Sequence, residues 1–282
     1  MKRIVDGAPW PLRLGRRMIR SGIRGGDRLI NMAASRGQLD LIARYRLGNM
    51  VFHMPLYRED NRWDELDLQD YEAPLVNSFS KAVEKHPGVT LFDCGADVGV
   101  FSALVVSRCP NIKRVLAFEP NSEVFEILQT NLAALHLPAT AFLKAVSSFT
   151  GKGTMVRPPY DSTDHGRYLA PGDGDIDVTT VDSLGIFDAH VAIKVDVEGG
   201  EGEVLKGAER TIREAKSCVL ALEAHPKVAQ RTGVDPREYL RYLSAIRKFN
   251  FFIAETGRTL DGEQPVLSPG QETIWNIIAF TD

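Results

Sequence analysis

Carboxylates, one lysine and one histidine fall at the ends of apolar runs in this 282-residue chain, where strand ends would gather them to move a proton or hold a cation. The run from Val191 to Val197 reads as a buried strand with Lys194 inside it and Asp196 and Glu198 at its carboxyl end. The run from Cys218 to Leu222 leads in the same way to Glu223 and His225. A hydroxyl is a poor nucleophile until its proton is removed, and a positioned base contributes about 10²–10⁴ in rate. His225 has the ordinary pKa nearest neutrality and suits that task; with Pro226 behind it, capping or packing is the other reading. Asp196 and Glu198 suit it too, or they accept from amides of the glycine turn that follows. Lys194 has a stem long enough to bring its ammonium to a carboxylate at the strand end, where it could orient an acceptor hydroxyl. Asp196, Glu198, Glu223 and His225 could instead hold a divalent cation, although their spacing does not demand one.

A second cluster lies earlier. Thr90, Leu91 and Phe92 read as a buried strand and Val100, Ala103, Leu104 and Val105 as one face of a helix, with Asp93, Gly95, Asp97 and Gly99 between them. Such a turn presents backbone N–H groups and the positive end of a helix at the strand's carboxyl edge. A dinucleotide fingerprint needs glycines at i, i+2 and i+5. Counted from Gly95, those places hold Asp97 and Val100, so a pyrophosphate is disfavoured. Acids beside the glycines suit a ligand with a cationic end. Glu119, twenty-four residues past Gly95 at the end of the next strand, is placed to accept from both hydroxyls of a ribose.

The elements that must position these groups alternate. A helix introduced by Asp70, Tyr71 and Glu72 runs through Leu75, Phe79 and Val83; strand, turn and helix follow; Val115–Phe118 form a second strand and Asn121 or Ser122 caps the next helix. A third strand spans 140–147. Residues 151–175, rich in glycine and proline, read as a long loop with a short hairpin at Thr154–Arg157. Its Arg157, Tyr160, Asp161, Asp164, His165, Arg167 and Tyr168 would suit a lid over a sugar-like acceptor or a disordered connection. Helices over 201–214 and 236–248 separate the later strands, and 251–254 and 274–280 form an antiparallel edge. The pattern predicts an α/β fold with a mostly parallel seven-stranded sheet and an antiparallel edge.

The spacing acid-x-Gly-x3-Gly at Asp93, Gly95 and Gly99 resembles the first motif of class I S-adenosylmethionine-dependent methyltransferases. The run IKVDVEGGEGEVLKGAERTI at 193–212 is more specific. Its Lys194, Asp196, Glu198, Gly199, Glu201, Val204, Leu205, Gly207 and Ala208 resemble the signature of the FkbM methyltransferases, and DCGADVGVFS, FEPN and TTVDSL follow the same order. The resemblance covers about residues 70–225. It implies a Rossmann-like fold, S-adenosylmethionine as cofactor, and O-methylation of a hydroxyl on a sugar, glycolipid or other natural product. Taken with the residues read above, it places cofactor contacts at Asp93, Gly95, Ala96, Asp97, Gly99, Glu119, Pro120, Asn121, Ala145 and Val146, while the residue chemistry alone offers Asp196, Glu198, His225 and Lys194 for the transfer. A nicotinamide-dependent oxidoreductase or a non-catalytic scaffold on the same fold are the competing readings.

Composition bounds the rest. No apolar run approaches the ~18 residues of a membrane span, and no apolar stretch with a cleavage site opens the chain. Three cysteines without a CxxC suggest reduced thiols and a cytoplasmic setting. Residues 1–48 hold eleven Lys or Arg against Asp6, Asp27 and Asp40, a local charge of +8 that leaves −11 elsewhere, since the total is −3. Trp10, Leu14, Met18, Ile19 and Ile23 fall at helical spacing there, Leu29 to Ile42 suggest a second helix, and 44–57 reads as a hairpin bent at Gly48-Asn49. We read 1–70 as a basic helical extension with a short hairpin, and 71–282 as the main domain. The basic helix either packs its apolar face on the acidic main domain or contacts an anionic membrane; nothing suggests nucleic acid. His53, in the hairpin, reads as a surface or packing residue.

Overall fold

The structure, a computed structural model, describes residues 2–47, 50–56, 63–157, 167–268 and 270–282. In chain order the first part holds β1 (Arg3–Asp6), α1 (Trp10–Arg20), α2 (Gly26–Ser35), β2 (Leu41–Leu47), β3 (Met50–Pro55), α3 (Glu65–Gln69) and α4 (Ala73–Val83). The middle holds β4 (Val89–Cys94), α5 (Val100–Arg108), β5 (Ile112–Phe118), α6 (Ser122–Ala133), β6 (Ala139–Phe142), β7 (Ala145–Val146), β8 (Gly151–Val156), β9 (Tyr168–Pro171) and β10 (Ile176–Thr179). The last part holds β11 (His190–Val195), α7 (Glu201–Gly207), α8 (Glu209–Glu214), β12 (Ser217–Ala224), α9 (Pro226–Thr232), α10 (Arg237–Ile246), β13 (Asn250–Ile253), β14 (Thr259–Leu260) and β15 (Trp275–Phe280).

The main sheet has the order β14-β13-β15-β12-β11-β4-β5-β6. From β12 to β6 the strands are parallel, and β15 pairs antiparallel with both β12 and β13. The seven expected strands are therefore present, and the two-residue β14 adds an eighth at the edge. Central strands read as unbroken apolar runs because helices cover both faces. Alternate residues feed two clusters. Leu91, Val115, Ala192 and Val219 join one with Leu12, Phe52, Leu75 and Phe79. Phe92, Leu116, Ile193 and Leu220 join the other with Leu205, Ile212, Leu240 and Leu243.

Three expectations need correction. The third strand stops at Phe142; Ala145 and Val146 leave it to pair with β10. Residues 151–175 are not a loop throughout, since β8 pairs with β9 and β10 to make, with β7, a second sheet. Glycine and proline had hidden the alternation there. Tyr160, Asp161, Asp164 and His165 lie outside the described residues, as does the Gly48-Asn49 bend between the paired β2 and β3. At the N-terminus, β1 was not anticipated, the second helix ends at Ser35 so that Leu41 and Ile42 fall in β2, and Trp10, Leu14 and Ile23 face outward while Leu12 and Gly15 are buried. Burial follows the glycine at which α2 approaches, which the spacing of large residues does not register.

Candidate active site

The chain leaves β4 toward β5 and β6 on one side and returns through β11 and β12 on the other, so the carboxyl ends of β4 and β11 flank a switch point where open α/β sheets bind ligands. At the end of β4, Gly95 takes φ +84° and Asp97 φ +49°. The Gly95 and Ala96 amides both donate to Phe118 O, at 3.0 and 2.9 Å. Glu119 is 8% exposed, and its carboxylate accepts from Asp97 N at 2.9 Å and Asn121 N at 2.8 Å. Asn121 caps α6 by accepting from Glu123 N. A cavity of about 880 Å³ opens over these residues, in the size range of small-molecule sites.

Of the ten residues expected at the cofactor, Gly95, Ala96, Asp97, Glu119, Pro120, Asn121, Ala145 and Val146 line that cavity. Asp93 and Gly99 do not. Asp93 is fully buried and accepts from the Ser102 hydroxyl at 2.6 Å, so it supports the site from behind. Gly99 precedes α5 with φ +86°, against Leu128 of α6, and serves the turn and helix packing.

Lys194 organises the second half. It is 4% exposed, and its Nζ donates to Asp196 Oδ2 at 2.8 Å and Gly95 O at 3.1 Å and stands 3.9 Å from Asp93 Oδ1. Burial by itself lowers a lysine's pKa, but the Asp196 and Asp93 carboxylates outweigh it and hold this ammonium well above its usual range. Burial raises the Asp93 pKa, with Lys194 and Ser102 opposing. Further acids crowd in. Burial pushes Glu223 well above the usual carboxylate range, with Asp196 and Glu198 adding to the effect. Its Oε2 is buried and finds no hydrogen-bond partner among the described residues, as is Glu72 Oε2 at the start of α4. Carboxylate oxygens of Asp196, Glu198 and Glu223 lie within 4.8 Å of one another.

Burial likewise pushes Glu72 up to about 7, and this has a measurable consequence. Between pH 4.5 and about 7 the folded chain keeps a proton here that the unfolded chain has lost, so this group's contribution to stability falls as pH rises through that window. Glu72→Gln should match the parent near pH 4 and exceed it at pH 8 by up to about 3 kcal/mol, at 1.36 kcal/mol per pKa unit. Urea melts at the two pH values check it; equal stability at pH 8 would refute the assignment.

The turn after β11 is held by Glu201, whose Oε1 accepts from Gly199 N at 3.0 Å and Val197 N at 3.3 Å, while the Tyr239 hydroxyl donates to Oε2. Within it Glu198 adopts φ +58°, a left-handed conformation that costs a non-glycine residue energy. Lys194, Asp196 and Glu198 all line the cavity. His225 does not; it caps α9, its Nδ1 accepting from Lys227 N at 3.1 Å. The structure therefore does not bring His225 onto the wall that Lys194, Asp196 and Glu198 share, and it is not one of the three acids whose oxygens cluster. Sequence reasoning missed Arg231, which donates to Glu198 O and lies over the Tyr168 ring at 4.7 Å. It missed Tyr71 on the cavity wall and Glu72 beside it too. Both reach the site through helix packing that local pattern does not encode.

A parallel sheet with this switch point, a glycine turn after the first strand and an acid after the second have the arrangement expected of a class I methyltransferase fold. A sequence profile of the Methyltransferase FkbM domain matches residues 93–253, more than half of the chain, and the chain belongs to that family. It is similar to the hexuronic acid methyltransferase AglP of Haloferax volcanii, 25% identical over 159 residues that cover 55% of this chain and 61% of that protein. Among solved structures it is similar to a methyltransferase FkbM from Methylobacillus flagellatus, at 25% identity and a TM-score of 0.42 over 68% of this chain and 43% of that one. It is also similar to M. jannaschii TYW2 in complex with AdoMet, at 10% identity and a TM-score of 0.45 over 85% and 84% of the two chains. The chain thus spans less than two thirds of the first two relatives. No helix among the described residues is long and apolar enough to cross a membrane.

Proposed function

We propose that this chain transfers the methyl group of S-adenosylmethionine to a hydroxyl oxygen of a sugar-containing acceptor. One observation carries the reading: the glycine turn, Glu119, Lys194, Asp196 and Glu198 all face one cavity. A hydroxyl held by the carboxylates would there meet the methyl carbon of a cofactor held by the turn. Glu119 takes the ribose hydroxyls, Asp97 meets the cationic amino-acid end, and Pro120, Ala145 and Val146 offer an apolar surface to the adenine. In the chemical step the acceptor oxygen bonds to the methyl carbon as the carbon–sulfur bond breaks. The bonding pair stays on sulfur, giving S-adenosylhomocysteine, and the hydroxyl proton passes to a carboxylate. We assign the proton to Glu198 and the orientation of the hydroxyl to Asp196, which Lys194 fixes. Displacement of this kind needs reacting atoms about 3–3.5 Å apart, so positioning carries much of the rate.

The hexuronic acid methyltransferase relative supports a sugar acceptor, as do Arg167, Tyr168 and Arg231 on the cavity wall. Residues 71–282 form the catalytic unit in this reading, with 1–70 an extension packed on it. Free, buried Cys94, Cys109 and Cys218 support a cytoplasmic setting.

Turnover on uronic-acid glycosides, followed as release of S-adenosylhomocysteine, tests the proposal. Glu198→Gln should lower kcat by about 10²–10⁴. Its stabilisation by S-adenosylhomocysteine, about 2.7 kcal/mol at a hundred times Kd, should stay intact. Full turnover in the variant would sink the base assignment, and stabilisation by NAD but not by S-adenosylhomocysteine would sink the cofactor. The Asp196, Glu198 and Glu223 oxygens could share a divalent cation in place of a proton; turnover with and without EDTA decides between them.

A further inference from the structure

Nine large apolar side chains stand exposed among the described residues, and five of them, Ile4, Trp10, Leu14, Ile23 and Met32, fall in the first 36 residues. Trp10, Leu14 and Arg17, at spacings of three and four, share the outer face of α1, where Trp10 is 62% exposed and Leu14 45%. Ile23, 56% exposed, stands in the turn to α2. The opposite face is fixed. A Cβ on Gly26 would sit 2.5 Å from Gly15 O, so α1 and α2 meet backbone to backbone. Arg16 Nε donates to Asp67 Oδ2 at 2.9 Å, and Arg20 donates to Asp64 Oδ2 at 2.7 Å. The helical hairpin is therefore held as a platform, and its outward apolar side chains are not waiting to fold inward.

Charge identifies the occupant. Arg13, Arg17 and Arg24 are exposed beside these apolar groups and pair with no acid among the described residues. A second copy docking through the same face would set these arginines against each other. An anionic bilayer meets both demands: the headgroups take the arginines, and the interfacial layer takes Leu14, Ile23 and the Trp10 ring, which suits the polar–apolar boundary. We propose that residues 1–36 form a peripheral docking surface for anionic lipid bilayers, holding the catalytic unit at a membrane without spanning it.

The full chain tests this by cosedimentation with phosphatidylcholine vesicles with and without phosphatidylglycerol. Binding should need the anionic lipid and weaken with salt. Trp10→Ser with Leu14→Ser should reduce partitioning at least tenfold. Arg13→Gln, Arg17→Gln and Arg24→Gln together should reduce it roughly a hundredfold, at ~1 kcal/mol per arginine near the surface. These side chains are exposed, so the variants' melting and their stabilisation by S-adenosylhomocysteine should match the parent, which separates this result from any failure of the methyl-transfer reading. Equal binding to neutral vesicles, or binding unaffected by both sets of substitutions, would overturn the proposal. So would light scattering that finds a dimer lost on Trp10→Ser with Leu14→Ser, because the face would then belong to a second copy.

Discussion

Replacing Lys194 with methionine should cost the fold about 3–5 kcal/mol at pH 8, the penalty for stripping a buried charge of its partner, and lower methyl transfer about a hundredfold through lost positioning. Methionine keeps the length and apolar contacts of the lysine stem, so the loss reports the ammonium. That ammonium is the one cation within hydrogen-bond or ion-pair reach of both Asp93, which is fully buried with Oδ1 lacking a hydrogen-bond partner, and Asp196 among the described residues. Without it, Asp93 keeps its proton to higher pH in the fold than in the unfolded chain. The folded variant then binds the extra proton, and its stability falls as pH rises above the ordinary carboxylate range. The gap to the parent should therefore be small near pH 4 and widest at pH 8. Urea melts across that range, with kcat measured where the variant is still folded, check both parts. A loss under 1 kcal/mol at pH 8, or unchanged kcat, would show that Lys194 neither neutralises Asp93 nor orients Asp196.

The same residues mark how far the chain could be read without its fold. The glycine turn and Glu119 were legible because their chemistry is local: a strand, a turn and a helix N-terminus lie within a few residues, and the second strand's end follows at a fixed topological distance. What spacing could not tell was which members touch the ligand. Asp93 and Gly99 belong to the motif, yet one supports Lys194 and Ser102 from behind and the other lets α5 begin against Leu128. His225 was chosen on its intrinsic pKa, while the neighbouring Pro226 at the first helical position already pointed to a cap. Glu72 and Glu223 are 151 positions apart in sequence and meet Asp196 electrostatically only through tertiary packing. The strands within 151–175 were lost because glycine content outweighed a short alternation, which β10 completes from outside the segment.

Gly95→Ala should abolish stabilisation by S-adenosylhomocysteine and lower the fold's stability by well over the ~1–3 kcal/mol of a strained backbone alone. Gly95 has φ +84°, and a Cβ there would stand 1.8 Å from Asp196 O and 2.9 Å from its carbonyl carbon. The obstacle is backbone and cannot rotate away. Relief requires the ends of β4 and β11 to part, although Asp196 N bonds to Cys94 O at 3.0 Å there and Lys194 Nζ to Gly95 O at 3.1 Å. One methyl group would thus displace together the turn proposed to hold the cofactor and the carboxylate proposed to orient the acceptor. Gly185→Ala supplies the comparison, since Gly185 has φ +66° with nothing within 4 Å of its added Cβ and lies away from the cavity wall. It should carry the conformational strain alone, stay within about 1–2 kcal/mol of the parent, and retain the full thermal shift. Equal losses in the two variants would mean that Gly95 is required only for its left-handed backbone, and the coupling of the cofactor turn to Asp196 would have to be abandoned.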